Sequence, residues 1–124
     1  MSTIGVDNAR PSAGGTSYSL TQGVAKVSLR YDQIANEVDD SENVSSVTDS
    51  TTGQFVVNYT NGFADTLFSP SQLSGILGSG VPGAFASQSG ISTGNLQHGT
   101  YRLSGTNGYF DGDFNAILIH GDLA

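Results

Sequence analysis

The chain is organised by alternation of apolar and polar positions. From Val24 to Tyr31, Ala25, Val27, Leu29 and Tyr31 fall on one face and Lys26, Ser28 and Arg30 on the other, which predicts a half-buried strand. Gln54 to Thr60 repeats the pattern with Phe55, Val57 and Tyr59. Together with Val44 to Thr48 it flanks Asp49-Ser50-Thr51-Thr52-Gly53, predicting a β-hairpin with a glycine-containing loop. Thr100 to Leu103 reads as a further strand, followed by a turn at Gly105-Thr106-Asn107-Gly108. Phe114 to His120 holds the most continuous apolar run, Ala116-Ile117-Leu118-Ile119. With both faces apolar, that strand is expected to be central or packed in an interface. No helical period emerges beyond a single turn allowed near Ser71 to Leu77.

Between these elements lie three irregular stretches. Residues 1–23 are rich in Ser, Thr and Gly, with Pro11 and Gly14-Gly15 as breakers before a short extended piece at Tyr18 to Leu20; they read as an arm. Tyr31 to Glu42 carries Asp32, Glu37, Asp39, Asp40 and Glu42 without an apolar period, and reads as a solvated loop. Residues 69–99 contain seven glycines, Pro70 and Pro82, broken only by clusters such as Ile76-Leu77 and Ala84-Phe85-Ala86, and read as a long exposed excursion. Exposed loops carry function disproportionately. The expected contact residues are therefore Glu37, Asp39, Asp40 and Glu42 in the acidic loop, and Ile76, Leu77, Phe85 and His98 in the excursion.

Composition narrows the picture. One core is the limit for 124 residues, giving an arm at 1–23 and a domain at 24–124. The hydrophobic fraction is 36%, against about 45–50% in an average globular domain, so the core must be thin. A net charge of −7 repels phosphate backbones and anionic surfaces, which argues against nucleic acid and membrane as partners. There is no cysteine, which removes disulfides and thiolate metal sites and leaves oligomerisation as the common support for a small domain. The first ten residues lack the basic-then-apolar order of a signal peptide, and no run approaches the ~18 apolar residues of a membrane span.

Several short motifs invite a chemical reading and lack its context. Gly78-Ser79-Gly80-Val81-Pro82-Gly83 fits the dinucleotide-binding glycine pattern, but Pro82 and its flanks supply neither strand nor helix. Gly90-Ile91-Ser92-Thr93-Gly94 fits a nucleophile elbow without the α/β frame that device needs. Asp111, Asp113, Asn115 and Asp122 follow calcium-loop spacing, yet Ala116 stands where the turn glycine belongs and an apolar strand fills the middle. His98 and His120 make half a metal site at most, and adjacent Asp39 and Asp40 do not face one another as glycoside hydrolysis requires. No catalytic, cofactor-binding or metal-binding residue is assigned.

Two stretches carry a family resemblance. Asp40-Ser41-Glu42-Asn43-Val44-Ser45-Ser46-Val47-Thr48-Asp49, then Thr52-Gly53-Gln54-Phe55-Val56-Val57-Asn58-Tyr59-Thr60-Asn61, resemble a recurring hairpin of bacteriophage tail-fibre-like structural proteins. Gly23-Val24-Ala25-Lys26-Val27 upstream and Ile117-Leu118-Ile119-His120-Gly121-Asp122 downstream are similar to strands of the same family. The opening Met1-Ser2-Thr3-Ile4-Gly5-Val6-Asp7 resembles the start of marine phage fibre proteins, with Gly5 and Arg10-Pro11 as departures. The resemblance spans about half the chain; Tyr31-Asp32 and Glu42 depart from it, and 69–99 matches nothing in it.

The strand pattern and residues 1–23 predict an all-β protein, an antiparallel β-sandwich or jelly-roll-like domain with an N-terminal extended arm, and the resemblance implies that the β-sandwich is built as a homotrimer into a virion. The expected function is that of a short tail fibre or spike subunit in host attachment. The alternative is a capsid decoration or cement protein, with a polysaccharide-degrading tail component a distant third. Expected partners are copies of itself, other tail or capsid proteins and a host surface receptor, with assembly in the host cytoplasm and no cofactor.

Overall fold

The computed structural model describes residues 8–9, 18–19, 24–75, 84–102 and 108–124, with only the backbone at 8–9, 18–19, 84–89 and 102. Among these residues every regular element is a strand: β1 (Asn8–Ala9), β2 (Tyr18–Ser19), β3 (Val27–Asp32), β4 (Glu37–Glu42), β5 (Val44–Thr51), β6 (Gln54–Tyr59), β7 (Ser69–Gly75), β8 (Ala84–Ser89), β9 (Asn95–Arg102), β10 (Gly108–Tyr109) and β11 (Phe114–His120). β1 and β2 form a two-residue antiparallel ladder within the expected arm. The rest forms two antiparallel sheets. One has four strands in the order β4-β3-β11-β7; the other has five, ordered β10-β9-β6-β5 with β8 on the opposite side of β9.

Alternation decides which faces meet. Val27, Leu29 and Tyr31 of β3 and Ile117 and Ile119 of β11 point inward from the four-stranded sheet. Phe55, Val57 and Tyr59 of β6 and Leu96 of β9 point inward from the other. The layers touch where the Tyr31 and Phe55 rings lie 4.8 Å apart between centroids. Phe63 and Phe68, from the segment between β6 and β7, close one end of the core by stacking 4.6 Å apart beside Tyr59. β11 lies between β3 and β7, the central place its apolar run predicted.

The hairpin between β5 and β6 is tighter than expected. Pairing continues through irregularities as far as Thr51↔Gln54, leaving Thr52-Gly53 as the turn, because Gly53 adopts a φ of 67°. At the other end of β5, Asn43 takes a φ of 57° and turns the chain out of β4 into the second sheet. Asn43 accepts from Thr60 N at 3.1 Å through its carbonyl and brackets Asn61 with both ends of its side-chain amide, at 2.7 and 3.0 Å.

Two expectations are corrected. The acidic stretch is not simply a loop: Gln33 to Asn36 turns, held by Asp32 Oδ1 accepting from Ala35 N, and Glu37–Glu42 then pairs with β3 as an edge strand. Every residue of β4 is exposed, so no buried face was there to imprint an apolar period. Nor are the described residues of 69–99 an irregular excursion, since they contribute β7, β8 and the first part of β9. Ser71 to Gly75 is extended along β11 where a helical turn was allowed, and Pro70 is tolerated because β7 is an edge strand.

One core group stands out energetically. The Tyr59 hydroxyl is buried without a hydrogen-bond partner among the described residues, and burial drives its pKa upward. Tyr59→Phe is therefore expected to leave stability unchanged or raise it by about 1 kcal/mol, since an unsatisfied buried hydroxyl carries a desolvation cost. Urea midpoints of the two proteins check this, and a clear loss in the variant would reveal a partner for the hydroxyl.

Candidate functional site

The most organised polar constellation is a buried seam between the sheets. β9 points Leu96, His98 and Thr100 inward, and two of those three are polar. His98 Nε2 lies 3.2 Å from Ser74 Oγ on β7 and 3.5 Å from Thr100 Oγ1. Thr100 donates to Asn115 Oδ1 on β11 at 3.2 Å. Asn115 Nδ2 in turn donates to the carbonyls of Tyr31 and Gly112, at 3.1 and 2.9 Å. Burial pushes the His98 pKa down to about 4, so the ring is neutral near pH 7, packed 4.7 Å from Phe55.

A serine hydroxyl beside a histidine is the core of a nucleophile–base pair, but the surroundings here serve another purpose. His98 is 0% exposed and Ser74 7%, and His98 Nδ1 meets no carboxylate or other partner among the described residues. A base needs an orienting group and a substrate within reach of its nucleophile. The seam instead links β7 and β11 of one sheet to β9 of the other by side-chain hydrogen bonds.

Carboxylates gather nearby around Tyr31. Gln33 Nε2 donates to Asp49 at 2.9 Å and lies 3.3 and 3.4 Å from the carbonyls of Thr51 and Gln54. Gly53 N donates to Asp111 Oδ1 at 2.6 Å. Burial first, then the charges of Asp49, Asp111 and Asp32, raise the Tyr31 phenol to about 12. Among the described residues no three His, Cys, Asp or Glu side chains converge on a point where a metal ion would sit. The calcium-like spacing is spread along β11: Asp111 is bonded to the hairpin turn, Asn115 belongs to the seam, and Asp122 lies beyond the strand. Ser92 of the elbow-like pattern accepts from the backbone N–H groups of Gly94 and Asn95, making a turn between two strands. The dinucleotide-like run 78–83 falls outside the described residues.

The expected contact residues separate. Glu37, Asp39, Asp40 and Glu42 line the exposed edge strand, where Asp39 accepts from Arg30 Nε at 2.9 Å. Charges along an edge oppose strand-to-strand aggregation, a structural role that sequence alone did not assign to them. His98 is a buried core residue, so it is not a loop contact. Phe85 lies on β8 in register with Tyr101, and Ile76 and Leu77 fall outside the described residues.

A surface missed by loop-based reasoning is the outer face of the four-stranded sheet. Leu73 is 64% and Leu118 46% exposed there, and open grooves of about 220 and 230 Å³ run along either side of the Leu118 ridge. Arg30 covers the Phe114 ring at 4.7 Å. The two-faced apolar run at 116–119 was the signal for this face; Leu73 had none, lying in a stretch read as irregular.

No protein-family model, no curated protein and no solved structure matches this chain. Among the described residues no helix is long and apolar enough to cross a membrane.

Proposed function

We propose that this chain is a structural component of a bacteriophage particle, a short tail fibre or spike subunit that contributes to host attachment. The observation carrying this reading is the tail-fibre-like sequence of Asp40 to Asn61, whose residues occupy the β4 corner and the β5–β6 hairpin. In this reading the facing sheets are a β-sandwich, and the protein is held in the virion by copies of itself and by other tail or capsid proteins. The charged edge and uneven outer surface are then places for a host receptor or a neighbouring subunit.

A second reading, a capsid decoration protein, is favoured by the exposed leucines of the four-stranded sheet, which suit a subunit lying against others on a shell. Copy number separates the two. Quantitative mass spectrometry of purified particles should find tens of copies or fewer for a tail appendage; hundreds on the head would replace the first reading with the second. Absence of the protein from purified particles would defeat both.

A further inference from the structure

The outer face of the four-stranded sheet has a pattern that loop and core arguments leave unexplained. β11 and β7 pair in register, so their outward residues stand in four rows: His120 beside Ser69, Leu118 beside Ser71, Ala116 beside Leu73, and Phe114 beside Gly75. Each row holds one large and one small residue, and in the Ala116–Leu73 row the large one changes strand. The groove on the β7 side of Leu118 is the hollow that Ala116 and Ser71 leave next to Leu73 and Leu118, and the groove on its other side is bounded by Ser28, Arg30 and Ala116.

We propose that this face packs against the same face of a second copy, about a two-fold axis running parallel to the strands between β11 and β7. That operation lays β11 of one copy over β7 of the other and keeps the rows. Leu118 then meets the partner copy's serine at position 71, Leu73 meets its alanine at position 116, and Phe114 meets its glycine at position 75. The surface is self-complementary, as an isologous contact requires.

The charge layout selects this axis. On the same face β4 carries Asp40 and Glu42, in register with Arg30 and Ser28 of β3. An axis across the strands would place β4 over β4 and set carboxylate against carboxylate. The axis along them sends the two acidic edges to opposite sides, about five strand spacings or roughly 24 Å apart. That exceeds the screening length of about 8 Å at physiological salt, so two chains of net charge −7 can meet there without these acids opposing each other. The contact builds a pair where the family resemblance implies a trimer, and it does not depend on the virion reading.

The test is a swap across the axis, followed by sedimentation velocity on the full chain over the micromolar range. The unaltered protein should show a monomer–dimer equilibrium. Leu73→Ala leaves a void against position 116 of the partner copy and Ala116→Leu makes a collision, so each should weaken dimerisation at least about tenfold. The double variant Leu73→Ala/Ala116→Leu moves the knob to the other strand and should restore dimerisation to near the original strength. Circular dichroism and thermal melting confirm that each variant folds; should one not fold, Leu118→Lys, which abolishes the pair by placing a charge in its centre, takes its place. A protein that stays monomeric throughout the range, forms a trimer, or whose double variant is as weak as the worse single one, would overturn the proposal.

Discussion

Acidification from about pH 6.5 to about pH 4 is expected to remove roughly 3 kcal/mol of folding stability through His98 alone. Burial in the seam lowers the folded-state pKa of this ring to about 4, while in the unfolded chain it has the ordinary histidine value of 6.5. Between those values the unfolded chain binds a proton that the folded chain refuses. The contribution is thus complete above pH 6.5, falls as pH drops through the window, and changes no further below about 4. Carboxylates add their own acid dependence, so the informative quantity is the difference between the protein and His98→Gln, whose amide retains a hydrogen-bonding group near Ser74. Urea unfolding at intervals from pH 7 to pH 4 should show the variant losing less stability across the window. Parallel profiles would mean that the ring exchanges protons with solvent in the folded state.

The second large effect is expected at the hairpin turn. A methyl group on Gly53 would stand 2.6 Å from Phe110 N and 2.8 Å from the carbonyl oxygens of Phe110 and Thr100, at a φ of 67° that side chains rarely adopt. Those neighbours are backbone atoms and cannot rotate aside. The turn cannot shift to relieve them, because Gly53 O accepts from Thr100 N at 2.7 Å and Gly53 N donates to Asp111. Gly53→Ala should therefore cost about 3–5 kcal/mol, combining left-handed strain with overpacking. Thermal unfolding should show the midpoint falling by more than about 10 °C. A variant melting with the parent would show that the turn is looser than its contacts imply.

Legibility in the sequence followed the apolar residues: strands were readable where apolar side chains recur along them and fill the core. β3, β6 and β11 carry Val27-Leu29-Tyr31, Phe55-Val57-Tyr59 and Ile117-Ile119 into the core; alternation revealed the first two, and the continuous apolar run at 116–119 revealed the third. β4 escaped because Glu37 to Glu42 bury nothing, so its strand character comes from backbone pairing with β3 alone. β7 and the first part of β9 escaped for the opposite reason, although Thr100 to Leu103 was read as a strand and β9 runs to Arg102. Their inward positions include Ser74, His98 and Thr100, polar residues that are buried with partners on other strands: His98 beside Ser74 of β7, and Thr100 bonded to Asn115 of β11. That compensation joins residues far apart in sequence, and no local window contains it. The same blindness turned His98 into an expected loop contact and hid Leu73, whose exposure matters only beside Ala116 on the neighbouring strand.

The corner at Asn43 has a mechanical consequence. One uninterrupted ribbon runs along the edge of the first layer and into the second, and the amide of Asn43 clamps it to Asn61, just beyond the end of β6. The layers are thereby sewn together along one margin, and a force that shears them must tear this seam before they slide. Tension on the molecule should accordingly be resisted up to one abrupt rupture, with little gradual yielding beforehand.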